Sequence, residues 1–203
     1  MSKPLCILVL GVPRSGTSCV AGILHHLGVS MTAPDCIGGA TDANPKGFFS
    51  DTEFEFFCNK KYGTYFPVTA EPLTEDEREY LSDMIRARKA PLWGVKEWRI
   101  SLFLDEFIEL AGDVKVIRTS RPLERSYKSW NEHFRNLDSP SLDDYFRATV
   151  LIDNSLKDKV VTDIDFDSIV DDKNTVLNTL ADLTGRPRNS KVDSMIDASL
   201  RRF

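Results

Sequence analysis

Residues Leu5 to Leu10 form an unbroken apolar run, Leu-Cys-Ile-Leu-Val-Leu, that stops at Gly11. A short, continuous apolar stretch predicts a β-strand buried on both faces. Past Gly16 the spacing changes. Val20, Ile23, Leu24 and Leu27 recur at helical intervals, which predicts a helix over 17–27 that Gly28 ends. Residues 29–47 are rich in Gly, Pro, Asp and Asn and read as a long surface loop. A helix is expected over 51–62. Thr74 and Glu77 form a capping box for another, ending near Lys89. Leu92–Val95 reads as a short buried strand, Ser101 as the cap of a helix reaching Leu110, and Val114–Ile117 as the next strand. Pro122 sits just inside a following helix. Helices over 142–156, 172–183 and 192–200 and a strand over 159–164 complete the reading.

Short apolar strands alternating with helices imply an α/β fold: a three-layer sandwich around a mostly parallel sheet. No repeat or linker interrupts the chain, so residues 1–203 are expected to form one domain. In such sheets ligands gather at the carboxyl ends of the strands. The charged clusters of this sequence follow strands, and so are expected at one edge.

Composition narrows the classes. At 41% hydrophobic and 28% charged residues the chain reads as globular. A net charge of −5 argues against nucleic acid as a partner, and any anion site must be a local gathering of Arg and Lys. No segment has the length to span a bilayer, and the apolar run after Met1-Ser2-Lys3-Pro4 is too short for a secretory leader. Cys6, Cys19, Cys36 and Cys58 lack metal-site spacing and read as free thiols, so a cytoplasmic protein without a metal is expected.

The stretch Gly11-Val12-Pro13-Arg14-Ser15-Gly16-Thr17-Ser18 carries the chemistry. A glycine-bracketed turn between a strand and a helix points backbone N–H groups at one spot, where the helix adds its partial positive charge. The Gly-x-x-x-x-Gly spacing is that of a P-loop, but Thr17 stands where a triphosphatase has its Lys. The cation lies inside the loop instead, at Arg14, whose planar guanidinium is always charged. It can support an anionic leaving group without a metal.

At these residues the chain resembles the sulfotransferase superfamily, whose 5′-phosphosulfate loop reads Gly/Tyr-x-Pro-(Lys/Arg)-Ser-Gly-Thr-(Ser/Thr). The resemblance implies a P-loop nucleotide-hydrolase-like fold and 3′-phosphoadenosine 5′-phosphosulfate as sulfuryl donor. Arg14, Ser15, Gly16, Thr17 and Ser18 would hold its phosphosulfate. The family's 3′-phosphate motif, an Arg at a strand end and a Ser eight residues on, is matched by Arg121 with Ser129. Arg118 with Ser126 has the same spacing and keeps the register open; Pro122 directly after Arg121 favours the first pair. Trp93-Gly94-Val95-Lys96-Glu97-Trp98-Arg99 resembles the bacterial Trp-Gly-x-Lys-Asp-Pro-Arg stretch, with Glu and Trp replacing Asp and Pro. It implies that Lys96 stands near the transferring group and that Arg99 positions a loop or the acceptor.

A general base is also needed. Asn44-Pro45-Lys46-Gly47-Phe48-Phe49-Ser50-Asp51 resembles a family segment whose carboxylate serves as base in some members, which nominates Asp51, then Glu53. Asp51 is equally suited to cap the helix that follows. His25, His26 and His133, near helix ends, read as dipole partners. Arg186, Arg188 and Arg201 are further cations that could close over a nucleotide. The catalytic set is thus Arg14, Lys96 and Asp51, and the acceptor is a small molecule, carbohydrate or peptide. The rival readings are a P-loop kinase for a small molecule or nucleotide, and a nucleotide-binding protein of the same fold without turnover.

Overall fold

The computed structural model describes residues 4–31, 44, 46–134 and 140–196. Four parallel strands, β1 (Leu5–Leu10), β2 (Leu92–Lys96), β3 (Asp113–Ser120) and β4 (Val161–Asp165), form one sheet in the order β2-β1-β3-β4. The apolar run of β1 takes a central position, paired with β2 on one side and β3 on the other. Its alternate residues feed opposite cores: Cys6, Leu8 and Leu10 face one, Ile7 and Val9 the other. A strand with both faces covered can be apolar throughout, which is why its sequence reads as a run.

Helices close both faces. On the side of Ile7 and Val9 lie α1 (Thr17–His26), α7 (Phe166–Asp171), α8 (Lys173–Thr184) and α9 (Ser190–Ser194). The other layer holds α2 (Thr52–Tyr62), α3 (Glu75–Arg86), α4 (Leu104–Ala111), α5 (Leu123–His133) and α6 (Leu142–Leu156). The three-layer parallel α/β architecture expected from the strand–helix alternation is therefore present. The Thr74 box forms as read, with the hydroxyl accepting from the Glu77 N–H and the Glu77 carboxylate accepting from the Thr74 N–H.

Several boundaries differ. Ser101 does not cap a helix; it lies within a 3₁₀ turn over Trp98–Phe103 that the Glu97 carboxylate caps by accepting from the Arg99 N–H. Pro122 is the cap residue, and α5 starts one residue later. β3 extends to Ser120, past the apolar stretch that marks it, because Arg118, Thr119 and Ser120 still pair with β4. The short α7, capped by Asp165, has too few apolar positions to show a helical period. Of the tail helix expected over 192–200, a helix spans Ser190–Ser194, while residues 197–200, like Arg201 and Cys36, lie outside the described residues. Cys6, Cys19 and Cys58 are buried free thiols. Among the described residues no helix is long and apolar enough to cross a membrane.

The chain leaves β1 for β2 on one side and then returns past β1 to β3 and β4 on the other. The crevice of such a sheet opens where the strand order reverses, at the carboxyl ends. Gly11, Glu97 and Arg121 follow directly on three of those ends.

Candidate active site

The 11–18 loop takes its shape from two glycines that admit no side chain. Gly11 has φ +154°, and a Cβ there would lie 2.2 Å from Thr119 Oγ1 of β3. Gly16 has φ +97°, and its Cβ would meet the Phe166 ring at 2.5 Å. Between them Arg14 adopts φ 68°, a left-handed conformation costing about 1–2 kcal/mol for a side-chain-bearing residue. Neighbours hold it there. The Arg14 carbonyl accepts from Arg121 Nη1 at 3.3 Å and from Ser126 Oγ at 3.5 Å. Arg14 Nε donates to Ser129 Oγ at 3.0 Å, and its guanidinium lies 5.7 Å from the centre of the Phe134 ring. The Ser15 and Thr119 hydroxyls, 2.8 Å apart and buried, fasten the loop to β3.

These contacts surround a cavity of about 130 Å³. Arg14, Gly16, Thr17, Ser18, Lys96 and Arg121 line it. Helix α1 starts there with no side-chain cap and no acidic residue in its first turn, so its first N–H groups and its dipole favour an anion. Lys96, at the end of β2, donates to Ser18 Oγ at 3.3 Å. Ser15 and Ser129 are not in the lining: one locks the loop and the other holds Arg14 from behind.

The cations are brought together at an electrostatic cost. Burial pushes Arg14 and Arg121 below their ordinary values, and Arg14 adds to the depression of Arg121. Lys96 falls to about 8, first by burial, with Glu55 and Glu97 opposing and Arg14 reinforcing the fall. Arg121 is 6% exposed; its guanidinium stacks 4.6 Å above the Phe166 ring, and its Nε and Nη2 are buried without a hydrogen-bond partner. An unused buried guanidinium edge is costly unless an acceptor completes it.

The two registers separate in space. Arg121 reaches the cavity. Arg118 turns away to ion pairs with Asp153 at 3.2 Å and Asp163 at 3.6 Å. Both serines, Ser126 and Ser129, serve Arg14. Lys46 lines the cavity but donates to the carbonyls of Ser194 and Met195, which ties its segment to the chain's C-terminal part. Arg188 is committed to Asp193, Asn174 and Asn178 and, like Arg186, lies outside the lining.

Asp51 does not reach the cavity. It caps α2, accepting from the Glu53 and Phe54 N–H groups at 3.1 and 3.3 Å, and pairs with Arg88 at 2.9 Å. Glu53 pairs with the same Arg88 at 2.7 Å. Glu97 is buried in a two-bond pair with Arg99, Oε1 on Nε and Oε2 on Nη2, each 2.9 Å. Arg99 then donates through Nη1 to Asn59 Oδ1 at 2.6 Å and to the Thr64 carbonyl at 3.3 Å, and lies 4.7 Å from the Tyr65 ring centre. The motif after β2 thus sends Lys96 to the first cavity and uses Glu97–Arg99 to fix α2 and the 63–66 segment.

Those fixed parts wall a second cavity of about 550 Å³, which shares Phe48, Tyr65, Lys96, Trp130 and Phe134 with the first. The carboxylate lining it is that of Glu55, which the sequence reading missed. Thr52, Glu55 and Asn59 form a polar stripe on α2, opposite the buried Phe54, Phe57 and Cys58, and that stripe was the available signal.

A family model described as a sulfotransferase domain matches residues 6–161. No curated protein matches the sequence significantly. Among solved structures, a sulfotransferase from Mycobacterium avium is similar at TM-score 0.53 and 12% identity, over 99% of this chain and 67% of its own. One from Mycobacterium tuberculosis gives 0.52 and 13%, over 96% and 71%. A gluconokinase from Sinorhizobium meliloti gives 0.50 and 16%, over 91% and 96%. At these identities the structural likeness shows the fold, which sulfotransferases and kinases share. The family match, spanning most of the sequence, decides between them: this chain belongs to the sulfotransferase family.

Proposed function

We propose that the protein transfers a sulfuryl group from 3′-phosphoadenosine 5′-phosphosulfate to a hydroxyl or amine acceptor by in-line displacement at sulfur. The observation that carries this reading is the convergence of Arg14, Lys96 and Arg121 on one cavity, with two nitrogens of Arg121 buried and unpartnered. The donor supplies the activated sulfuryl group and takes away the leaving phosphate. The 14–18 loop and the start of α1 hold the 5′-phosphosulfate. Arg121 takes the 3′-phosphate, and Ser129 acts through Arg14 rather than on that phosphate. Arg14 and Lys96 face the charge that develops on the bridging and equatorial oxygens, where one well-placed donor is worth about 3–4 kcal/mol. That step asks nothing of a metal.

The kinase reading has the shared fold in its favour. It lacks the Lys that a triphosphatase loop places after the second glycine; this chain has Thr17 there. Thermal shift separates the readings, because a ligand that binds the folded state raises its stability with affinity. Adenosine 3′,5′-bisphosphate is expected to raise Tm more than ATP with Mg²⁺. Arg14→Ala is expected to lower turnover at least a hundredfold with Tm little changed. A larger shift with ATP and Mg²⁺, or undiminished turnover in the variant, overturns the proposal.

A further inference from the structure

We infer that the second cavity receives a neutral alcohol or phenol with a flat apolar body, and that Glu55 takes the proton from its hydroxyl. The inference rests on the donor reading above and adds the acceptor class and the base.

The walls decide the class. Phe48, Tyr65, Trp130 and Phe134 present aromatic surface to both cavities, so a flat apolar body gains contact along the whole passage toward Lys96. Trp130 packs 5.5 Å from Tyr65 and 4.7 Å from Phe134, ring centre to ring centre, so these walls brace one another. At about 550 Å³ the space suits a small molecule and not a folded partner. Its charged lining is one ammonium, Lys96, and one carboxylate, Glu55. That balance offers nothing to a polyanionic sugar chain, since the donor already claims Lys96. The other polar side chains of the lining are the short hydroxyls of Ser50, Thr52 and Thr64, the Asn59 amide and the polar edges of Tyr65 and Trp130, few against the many hydroxyls of a free sugar.

Elimination and placement both select Glu55. Asp51 and Glu53 are bound to Arg88, and Glu97 to Arg99. No histidine lines either cavity among the described residues. Glu55 is half-buried on the cavity face of α2, and Lys96, which lines both cavities, interacts with it electrostatically. Burial first, and then the Glu97 charge, pushes its carboxyl above the usual carboxylate range, which strengthens it as a base. The step balances. The acceptor O–H gives its proton to the Glu55 carboxylate, and the acceptor oxygen forms the new bond to sulfur. The bond from sulfur to the bridging oxygen breaks, and its electron pair leaves with adenosine 3′,5′-bisphosphate.

The test uses the full chain with radiolabelled donor and four acceptors: 2-naphthol, glucose, phenethylamine and a heparin-type polysaccharide. We expect kcat/KM for 2-naphthol at least tenfold above each of the others. Glu55→Gln should lower kcat for 2-naphthol at least a hundredfold, leave its KM within about threefold, and leave the thermal shift by adenosine bisphosphate little changed below about pH 7; at higher pH the variant loses the Glu55 charge that helps keep Lys96 protonated. A nitrophenol already ionised at the assay pH needs no base, so the same variant should lose less than tenfold on it. A merely structural role for Glu55 would depress both acceptors alike. Preference for the sugar, the amine or the polysaccharide, absence of 2-naphthol turnover, or equal losses on both phenols overturns the inference while bisphosphate binding keeps the donor reading standing. Should the variant not fold, the wild-type acceptor ranking decides alone. Failure of the bisphosphate to bind removes the donor reading, and this inference with it.

Discussion

On the proposed donor reading, the Lys96 ammonium should make donor binding and protein stability respond to pH in opposite directions. Its pKa of about 8 sits well below the ordinary lysine value of about 10.4. In the empty protein about nine-tenths of Lys96 is therefore charged at pH 7, about half at pH 8 and about one-tenth at pH 9. If the donor needs the ammonium, affinity for adenosine 3′,5′-bisphosphate falls about tenfold between pH 7 and 9, or about 1.4 kcal/mol. The phosphates of the ligand add little to the change, since their second ionisation, near pH 6, is already about nine-tenths complete at pH 7 and its completion would only strengthen binding. Binding at pH 8 should also draw in about half a proton, because the bound anion restores the Lys96 charge.

Stability moves the other way. The folded-state value is depressed, so below pH 8 both states carry the proton and the folded protein bears the full penalty of the buried charge. From pH 8 to about 10.4 the unfolded chain holds the proton that the folded chain has released, and stability rises, by up to about 3 kcal/mol for this group. Calorimetric titrations with the bisphosphate in two buffers of different ionisation enthalpy measure both affinity and proton uptake. Urea melts of the wild type against Lys96→Met measure the stability arm, and the gap between them should change over the same range. Lys96→Arg keeps its charge and should bind without the pH dependence. Affinity that stays flat from pH 7 to 9 with no proton uptake, or a fall that survives in Lys96→Arg, would refute the placement of the ammonium against the donor.

Three further outcomes follow from the contacts. Arg121→Ala should weaken bisphosphate binding tenfold or more, since a charge-assisted hydrogen bond is worth about 1.5–3 kcal/mol, whereas Arg118→Ala should change it less than twofold; calorimetry reads both. Arg99→Met leaves the Glu97 carboxylate buried without its cation and should cost about 3–5 kcal/mol in urea melts. Asp51→Ala removes a helix cap, worth about 1 kcal/mol, and one partner of Arg88. It should lower Tm while keeping kcat, and a lost kcat at unchanged Tm would restore Asp51 as the base.

What could be read from the chain depended on whether a residue's role was local. The buried strand β1, the Thr74 capping box and the loop glycines are governed by neighbours in sequence, so their patterns announce them. The ends of β3 and the 3₁₀ turn after β2 are set by pairing with β4 and by the Glu97 cap, which apolar spacing does not record. The site divides along the same line. Arg14 and Ser18 could be placed from the loop pattern alone. The choice between Arg121 and Arg118 could not, because it turns on which face of β3 and which neighbouring acids each meets. Asp51 is ambiguous for a physical reason: a carboxylate ahead of a helix suits both capping and proton transfer, and its pairing with Arg88, far along the chain, is not recorded in the local pattern.

The motif after β2 divides its work among three side chains. Lys96, Glu97 and Arg99 are close neighbours in sequence, yet they act on different partners: Lys96 on the anion cavity, Glu97 on Arg99, and Arg99 on Asn59, Thr64 and Tyr65. Glu97 neutralises Arg99 and also lifts Glu55, while Glu55 and Glu97 together hold Lys96 above the value that burial alone would give it. Lys96 of the anion cavity and Glu55 of the second cavity are therefore electrostatically coupled, to each other and through Glu97. Loss of Glu97 would be expected to lower both values, weakening the base and discharging the ammonium nearer neutral pH. A short strand end thus contributes, after burial, to the protonation of a group in each of two cavities.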